Sequence, residues 1–126
     1  MTIYDATQTV KEFNPSSIRF DQMLDWINQL EGLITEDIEK IYNADAVFVP
    51  YDWRSMGTEK QQETNLIVPF PYDEIYPAYL RMKIDEATGE NLRYNNSSVQ
   101  FNTLLDNYTK HCARTRKASF YPKFKF

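Results

Sequence analysis

This sequence of 126 residues contains little cysteine, glycine or histidine. A single cysteine, Cys112, excludes an internal disulfide bond and a zinc site built from cysteines, and it suits a reducing cytoplasm. Three glycines are too few for a turn-rich all-β fold. No apolar run approaches the roughly 20 residues of a membrane span, and Met1 is followed by polar residues rather than a signal-peptide core. We therefore expect a soluble protein without a membrane partner.

Residues for common catalytic chemistry are also scarce. His111 is the only histidine, and on a helix its side chain would point about a hundred degrees away from that of the adjacent Cys112, which is poor geometry for a base and its nucleophile. Four acidic residues fall on a predicted helix surface, where solvation explains them better than metal binding: Asp21, Asp25, Glu36 and Glu39. Neither glycine-rich phosphate-binding motif occurs. We expect no catalytic residue, no metal and no cofactor, hence no enzyme.

The composition that is present suits one globular domain. Hydrophobic residues make up 42% of the chain and charged residues 25%, which are ordinary values. Aromatic residues make up 15%, including nine tyrosines and eight phenylalanines, many in segments too polar for full burial. Tyrosine in such positions often marks an interface, because its ring is apolar and its hydroxyl is polar.

Charge is distributed unevenly along the chain. Residues 107–126 contain six Lys and Arg and no acidic residue, whereas the preceding residues contain eight basic and eighteen acidic side chains. The two parts thus carry formal charges of +6 and −10. This asymmetry indicates either a basic arm for an acidic partner or nucleic acid, or a solvated tail.

The fold predicted from these patterns is mainly α, a small bundle of about three main helices. Residues 1–17 lack a sustained helical period and contain Pro15, so we expect an extended N-terminal arm that folds back or reaches a neighbouring subunit. Ser16 or Ser17 is expected to cap the first helix, which runs to about Tyr42. Its apolar residues step by three or four: Phe20, Met23, Leu24, Ile27, Leu30, Ile34, Ile38 and Ile41.

A β-hairpin or long-loop excursion is predicted over residues 46–70. The β-branched and aromatic runs AVFVPYDW (46–53) and NLIVPF (65–70) favour two short strands. A polar stretch with Gly57 lies between them, and Pro50 and Pro69 place both strands at an edge or an end.

Two further helices are predicted to form an αα-hairpin. The first begins around Pro71 to Asp73 if Pro77 kinks it, or nearer Tyr76 if the proline lies harmlessly in its first turn. Gly89 supplies the turn. The second helix spans roughly Asn91 to Thr115, with a seam at alternating steps of four and three: Tyr94, Ser98, Phe101, Leu105, Tyr108 and Cys112.

Residues 18–117 thus form the predicted helical domain, and residues 118–126 a C-terminal arm. Aromatic and basic residues alternate toward this end, and they suit either a protein surface or stacking and phosphate contacts with nucleic acid. Nucleic-acid binding is the less favoured of the two, because the acidic remainder would repel DNA. The candidate partner-binding residues are Arg114, Arg116, Lys117, Phe120, Tyr121, Lys123, Phe124, Lys125 and Phe126.

Parts of the sequence resemble a known family. The stretches are FDQMLDWINQLEGLI, PYDEIYPAYLRMKID, GENLRYNNS and the pair Phe101-Asn102. In order and spacing they are similar to the head-tail connector, or adaptor, proteins of long-tailed bacteriophages that infect Gram-positive bacteria. The resemblance covers about residues 18–110. Pro77 inside the matched helix and the residues after Tyr108 depart from the family pattern.

The resemblance implies a structural subunit of the virion neck, assembled in the host cytoplasm. Copies would form a homo-oligomeric ring, commonly of twelve, between the portal and the next neck or tail protein. DNA would pass through without sequence-specific binding, and the C-terminal arm would contact the portal. The expected subunit-interface residues are Tyr51, Trp53, Tyr72 and Tyr76. The alternatives are another neck or tail-completion protein, or a small nucleic-acid-binding protein that uses the basic arm.

Overall fold

The computed structural model describes residues 1–13 and 18–116, with Phe13 described by its backbone alone. Helices dominate these residues, which confirms the mainly α prediction. They are α1 (Ile3–Phe13), α2 (Phe20–Ile34), α3 (Lys40–Tyr42), α4 (Thr58–Glu63), α5 (Ile75–Ala87) and α6 (Asn91–Thr115). A π-helical segment, Thr35–Glu39, joins α2 to α3, and short 3-10 turns occupy Trp53–Ser55 and Tyr72–Glu74.

Helix α1 replaces most of the predicted N-terminal arm over residues 1–17. Thr2 and Asp5 form a capping box at its start, since each side chain accepts a bond of 3.2 Å from the other residue's backbone N–H. One helical face is fully buried, with residues at the spacing i, i+3, i+4 and i+7: Ile3, Ala6, Thr7 and Val10. The extended arm is therefore wrong for residues 3–13, and residues 14–17 lie outside the description.

The long helix over residues 20–42 ends at Tyr42, as predicted, but begins later than expected. Its N-cap is Arg19, which makes no side-chain capping bond, while Ser16 and Ser17 lie outside the described residues. The π-helical segment changes the phase of the helix near its end. Ile38 remains buried there, and the adjacent Glu39 is within hydrogen-bonding distance of α6.

The predicted β-hairpin is wrong, and a long excursion takes its place. Within residues 1–13 and 18–116 the only β pairing is an isolated bridge between Thr2 and Asn65. The second β-rich run therefore pairs with the chain's N-terminal residues, while Tyr51 of the first run is hydrogen-bonded to Asn28 and Glu31 of α2. The intervening sequence TEKQQE forms α4, because Glu, Lys and Gln favour helix and Gly57 serves as N-cap.

The αα-hairpin of α5 and α6 is confirmed. Pro77 is the third residue of α5, where its missing N–H costs no intrahelical bond, so the late-starting alternative holds. Gly89 has a φ of +74°, the left-handed conformation that glycine adopts easily at a helix end. Tyr79 and Phe101 pack across the hairpin with ring centroids 5.0 Å apart.

Helix α5 lies at the centre of the core. Its first half is buried on every side, because it contacts α1, α2 and α6. In the described part of the chain, no helix has both the length and the apolar character needed to cross a bilayer.

Candidate functional site

Among the described residues, His, Cys, Asp and Glu form no group of three or more suited to a metal ion. His111 stacks on Tyr72 with ring centroids 4.5 Å apart, and Cys112 is fully buried on the core side of α6. The candidate site is therefore sought among buried polar networks and exposed apolar surfaces.

Glu31 on α2 is the centre of the first network. Its carboxylate is fully buried and accepts three hydrogen bonds, from the Tyr76 hydroxyl at 2.5 Å, the Ile67 backbone N–H at 2.9 Å and the Tyr51 hydroxyl at 3.2 Å. Burial raises the pKa of Glu31, and these three bonds oppose the rise without cancelling it. One side chain thus joins the long helix to α5 and to both ends of the excursion, at Tyr51 and at Ile67.

The two tyrosines of this network differ in exposure. Tyr76 is fully buried, and its hydroxyl also accepts a 2.8 Å bond from the Val68 N–H, so its assignment to the subunit interface is wrong. Tyr51 is half-buried. Its backbone N–H donates to Asn28 Oδ1 at 2.9 Å, and its carbonyl accepts from Asn28 Nδ2 at 3.1 Å. Tyr51 is therefore the anchor that fixes the excursion to α2.

Glu39, in the π-helical segment, is the centre of the second network. Its carboxylate accepts a 3.0 Å bond from the Tyr108 hydroxyl and pairs with Arg116 at 2.5 Å. The guanidinium also lies 5.8 Å from the centre of the Tyr42 ring. Burial lowers the pKa of Arg116, but its hydrogen bond to Glu39 and the nearby acidic groups more than compensate, so the pKa rises overall. Arg116 is thus bound within its own chain rather than free for a partner.

The other predicted site residues occupy varied positions. Tyr72 is half-buried between Tyr108 and His111, so little of its ring is offered to a partner. Trp53 and Arg114 are exposed, in keeping with their predicted roles. Seven of the predicted partner-binding residues lie outside the described residues: Lys117, Phe120, Tyr121, Lys123, Phe124, Lys125 and Phe126.

Two exposed apolar surfaces were not predicted. The excursion surface consists of Val47, Val49 and Trp53, and the two valines are 80% and 76% exposed. The α6 stripe consists of Leu92 and Val99, which are 82% and 66% exposed and lie on one side of α6 because they are seven residues apart. That spacing was a usable sequence signal for the stripe. Nothing in the sequence placed Val47 and Val49 on the outside.

Comparison with known proteins gives no second source of evidence. No protein-family model, curated protein or solved structure matches this chain significantly. The resemblance to phage connectors therefore remains a prediction.

An acidic groove of about 640 Å³ lies between α1 and the turn that precedes α5. It is open to solvent, and its walls include Asp5, Glu12 and Glu74, together with the exposed ring of Phe70. Asp73, which also lines it, pairs with the α-amino group of Met1 at 3.1 Å. The groove and the two apolar surfaces are accessible to macromolecules.

Proposed function

We propose that this chain is a structural subunit of the bacteriophage neck, a head-tail connector that assembles as a ring beneath the portal. The observation that carries the proposal is the presence of two exposed apolar surfaces on different elements, the excursion surface and the α6 stripe. A ring formed by rotation needs a heterologous interface, in which one surface of each subunit meets a different surface of the next.

The side chains of the two surfaces suit such an interface. Trp53 is the kind of large aromatic residue that contributes strongly to binding when a partner covers it. Leu92 and Val99 form a short apolar stripe on the side of α6 away from its buried seam. Soluble monomers rarely leave large contiguous apolar areas uncovered, and pairing the two surfaces would remove both from water.

Charge supports the proposed position in the virion. The first 106 residues carry a formal charge of −10, and an acidic ring repels the DNA that passes through it, so that the DNA does not bind. The proposed partners are a neighbouring copy, the portal on one side and the next neck or tail protein on the other. The basic C-terminal arm, residues 118–126, is the proposed portal contact, and we take the ring to be dodecameric.

The test is assembly of the purified chain, alone and with the portal protein of the same genome. Mass photometry and negative-stain imaging are expected to show rings, or added density on the portal. The variant Val99→Glu should assemble at least tenfold more weakly, because it places a charge in the apolar interface. Gln100→Glu adds the same charge at the next exposed position and serves as the matched control.

Two outcomes of this experiment would count against the proposal. A wild-type chain that stays monomeric at every concentration and ignores the portal would overturn the proposal. Equal weakening by Val99→Glu and Gln100→Glu would show that the α6 stripe is not the interface.

A further inference from the structure

The first half of the excursion has the side-chain pattern of a strand but no partner. Ala46 and Phe48 are half-buried while Val47 and Val49 are exposed, which is the alternation of period two that strands show. The backbone N–H groups of Val47, Phe48 and Val49 donate no hydrogen bond to any described residue. Residues 46–50, which we call the open edge, therefore present apolar side chains and the N–H groups of these three residues, whereas the Ala46 N–H donates to the Asn43 carbonyl at 3.0 Å.

The open edge is held in place from both sides. At one end it follows the long helix, whose last residue is Tyr42. At the other end Tyr51 is fixed by two hydrogen bonds to Asn28 and one to Glu31, and Phe48 packs edge-on against the Tyr51 ring at 5.2 Å. An edge with unpaired backbone groups and outward-facing valines is a ready template for another strand.

We propose that the C-terminal arm of the same chain, residues 118–126, adds to the open edge as a β-strand. The length of the arm is sufficient for it to reach the open edge. Arg116 is fixed to Glu39 and lies over the Tyr42 ring, so the arm starts beside the end of the long helix. Ala46 is four residues from Tyr42, at most about 14 Å along the chain. The ten residues after Arg116 span about 33 Å when extended, which is ample.

The chemistry of the arm matches the open edge. Its last four residues, Lys123, Phe124, Lys125 and Phe126, alternate basic and aromatic side chains, so a strand would place both phenylalanines on one face. Aromatic and β-branched side chains form favourable cross-strand pairs, here with Val47 and Val49.

Charge is complementary as well. The exposed acidic residues Asp45 and Asp52 flank the open edge, and the arm brings Lys123 and Lys125. Attachment within one chain gives the arm an effective concentration on the order of millimolar, far above that of a second copy in dilute solution.

The test is amide hydrogen exchange on the full chain at low micromolar concentration, compared with the double variant Phe124→Asp, Phe126→Asp. Successive N–H groups of a strand point to opposite edges, so one added strand protects either Val47 and Val49 or Phe48. The protected amides should exchange about tenfold faster in the variant, because it loses the strand. The Tyr51 amide, bonded to Asn28, should not change and reports an intact fold. A control variant, Asn95→Asp, Asn102→Asp, adds the same charge at two exposed positions of α6.

Three outcomes would overturn the proposal. The first is equal exchange of the open-edge amides in the full chain and the double variant. The second is equally fast exchange in the control variant, which would assign the effect to net charge. The third is protection that grows with protein concentration, which would assign the strand to a second copy. The inference does not rest on the proposed function, since it is measured on the isolated chain. In a ring, the arm would have to leave the open edge before a neighbouring copy covers Val47 and Val49 and the portal binds the arm.

Discussion

Glu31 and Glu39 lie on the same long helix, and each accepts a hydrogen bond from a tyrosine, yet their surroundings differ. Glu31 is fully buried with neutral donors only, whereas Glu39 is at the edge of the core and pairs with Arg116. A buried carboxylate without a cation depends on every one of its hydrogen bonds, because water cannot replace them. A carboxylate at the edge can exchange a lost partner for solvent. We therefore expect the Glu31 network to control stability and the Glu39 network mainly to fix the start of the C-terminal arm.

The largest effect is expected from Glu31→Ala. It leaves the Tyr76 hydroxyl and the Ile67 N–H without their acceptor and opens a cavity, which should lower the free energy of unfolding by about 3 kcal/mol. Glu31→Gln keeps the size and one acceptor oxygen, so about half that loss is expected. Urea unfolding followed by tryptophan fluorescence measures both. A loss below that of surface controls would mean that the network is not a centre of stability.

The second prediction is that the contribution of Glu31 to the free energy of unfolding depends on pH. Because the folded-state pKa of Glu31 is raised, the folded chain binds this proton more tightly than the unfolded chain does. Stability from this group is therefore greatest below the unfolded pKa and falls as pH rises toward the folded pKa.

The measurement is the difference in free energy of unfolding between the wild type and Glu31→Gln, taken from pH 4 upward. The subtraction removes the contributions of the other carboxyl groups. As pH rises, the free energy of unfolding of the wild type should fall relative to that of Glu31→Gln. A difference between the two that stays constant, or that rises in favour of the wild type, would contradict the raised pKa.

The smallest effect is expected from Arg116→Ala. The Arg116 side chain remains about one third exposed, so solvent screens its pairing with Glu39 and the loss of stability should be under about 1 kcal/mol. Arg114→Ala, two residues away on the exposed surface, is the matched control and should have no measurable effect. If Arg116→Ala destabilised the chain as much as Glu31→Ala, the contrast between the two networks would be lost.

Local patterns predicted much of the helical fold. The bounds of α6 and the turn at Gly89 followed from spacing within the segment itself. Helix α1 could have been found as well, because Thr2 and Asp5 have capping-box spacing and its buried face has a helical period. Scattered apolar residues and Pro15 concealed that signal.

The candidate site was less predictable, because its residues depend on partners distant in sequence. In the sequence, Glu31 resembles any other acidic residue on an amphipathic helix. Only the fold brings the hydroxyl of Tyr76, 45 residues later, within hydrogen-bonding distance of it. The β-rich run at residues 46–53 predicted a strand, but the structure forms none there. Its expected partner, residues 65–70, lies instead beside the N-terminal residues and Glu31.

The sequence alone determined that the fold is mainly helical, where the αα-hairpin turns, and that acidic and basic charge are separated along the chain. These properties depend on period, on the conformational freedom of Gly89 and on composition, all of which are local. Tertiary structure alone decided that Tyr76 is buried with a carboxylate, and that Val47 and Val49 face solvent. The reason is physical: burial depends on which elements pack together, and that is a property of the whole chain.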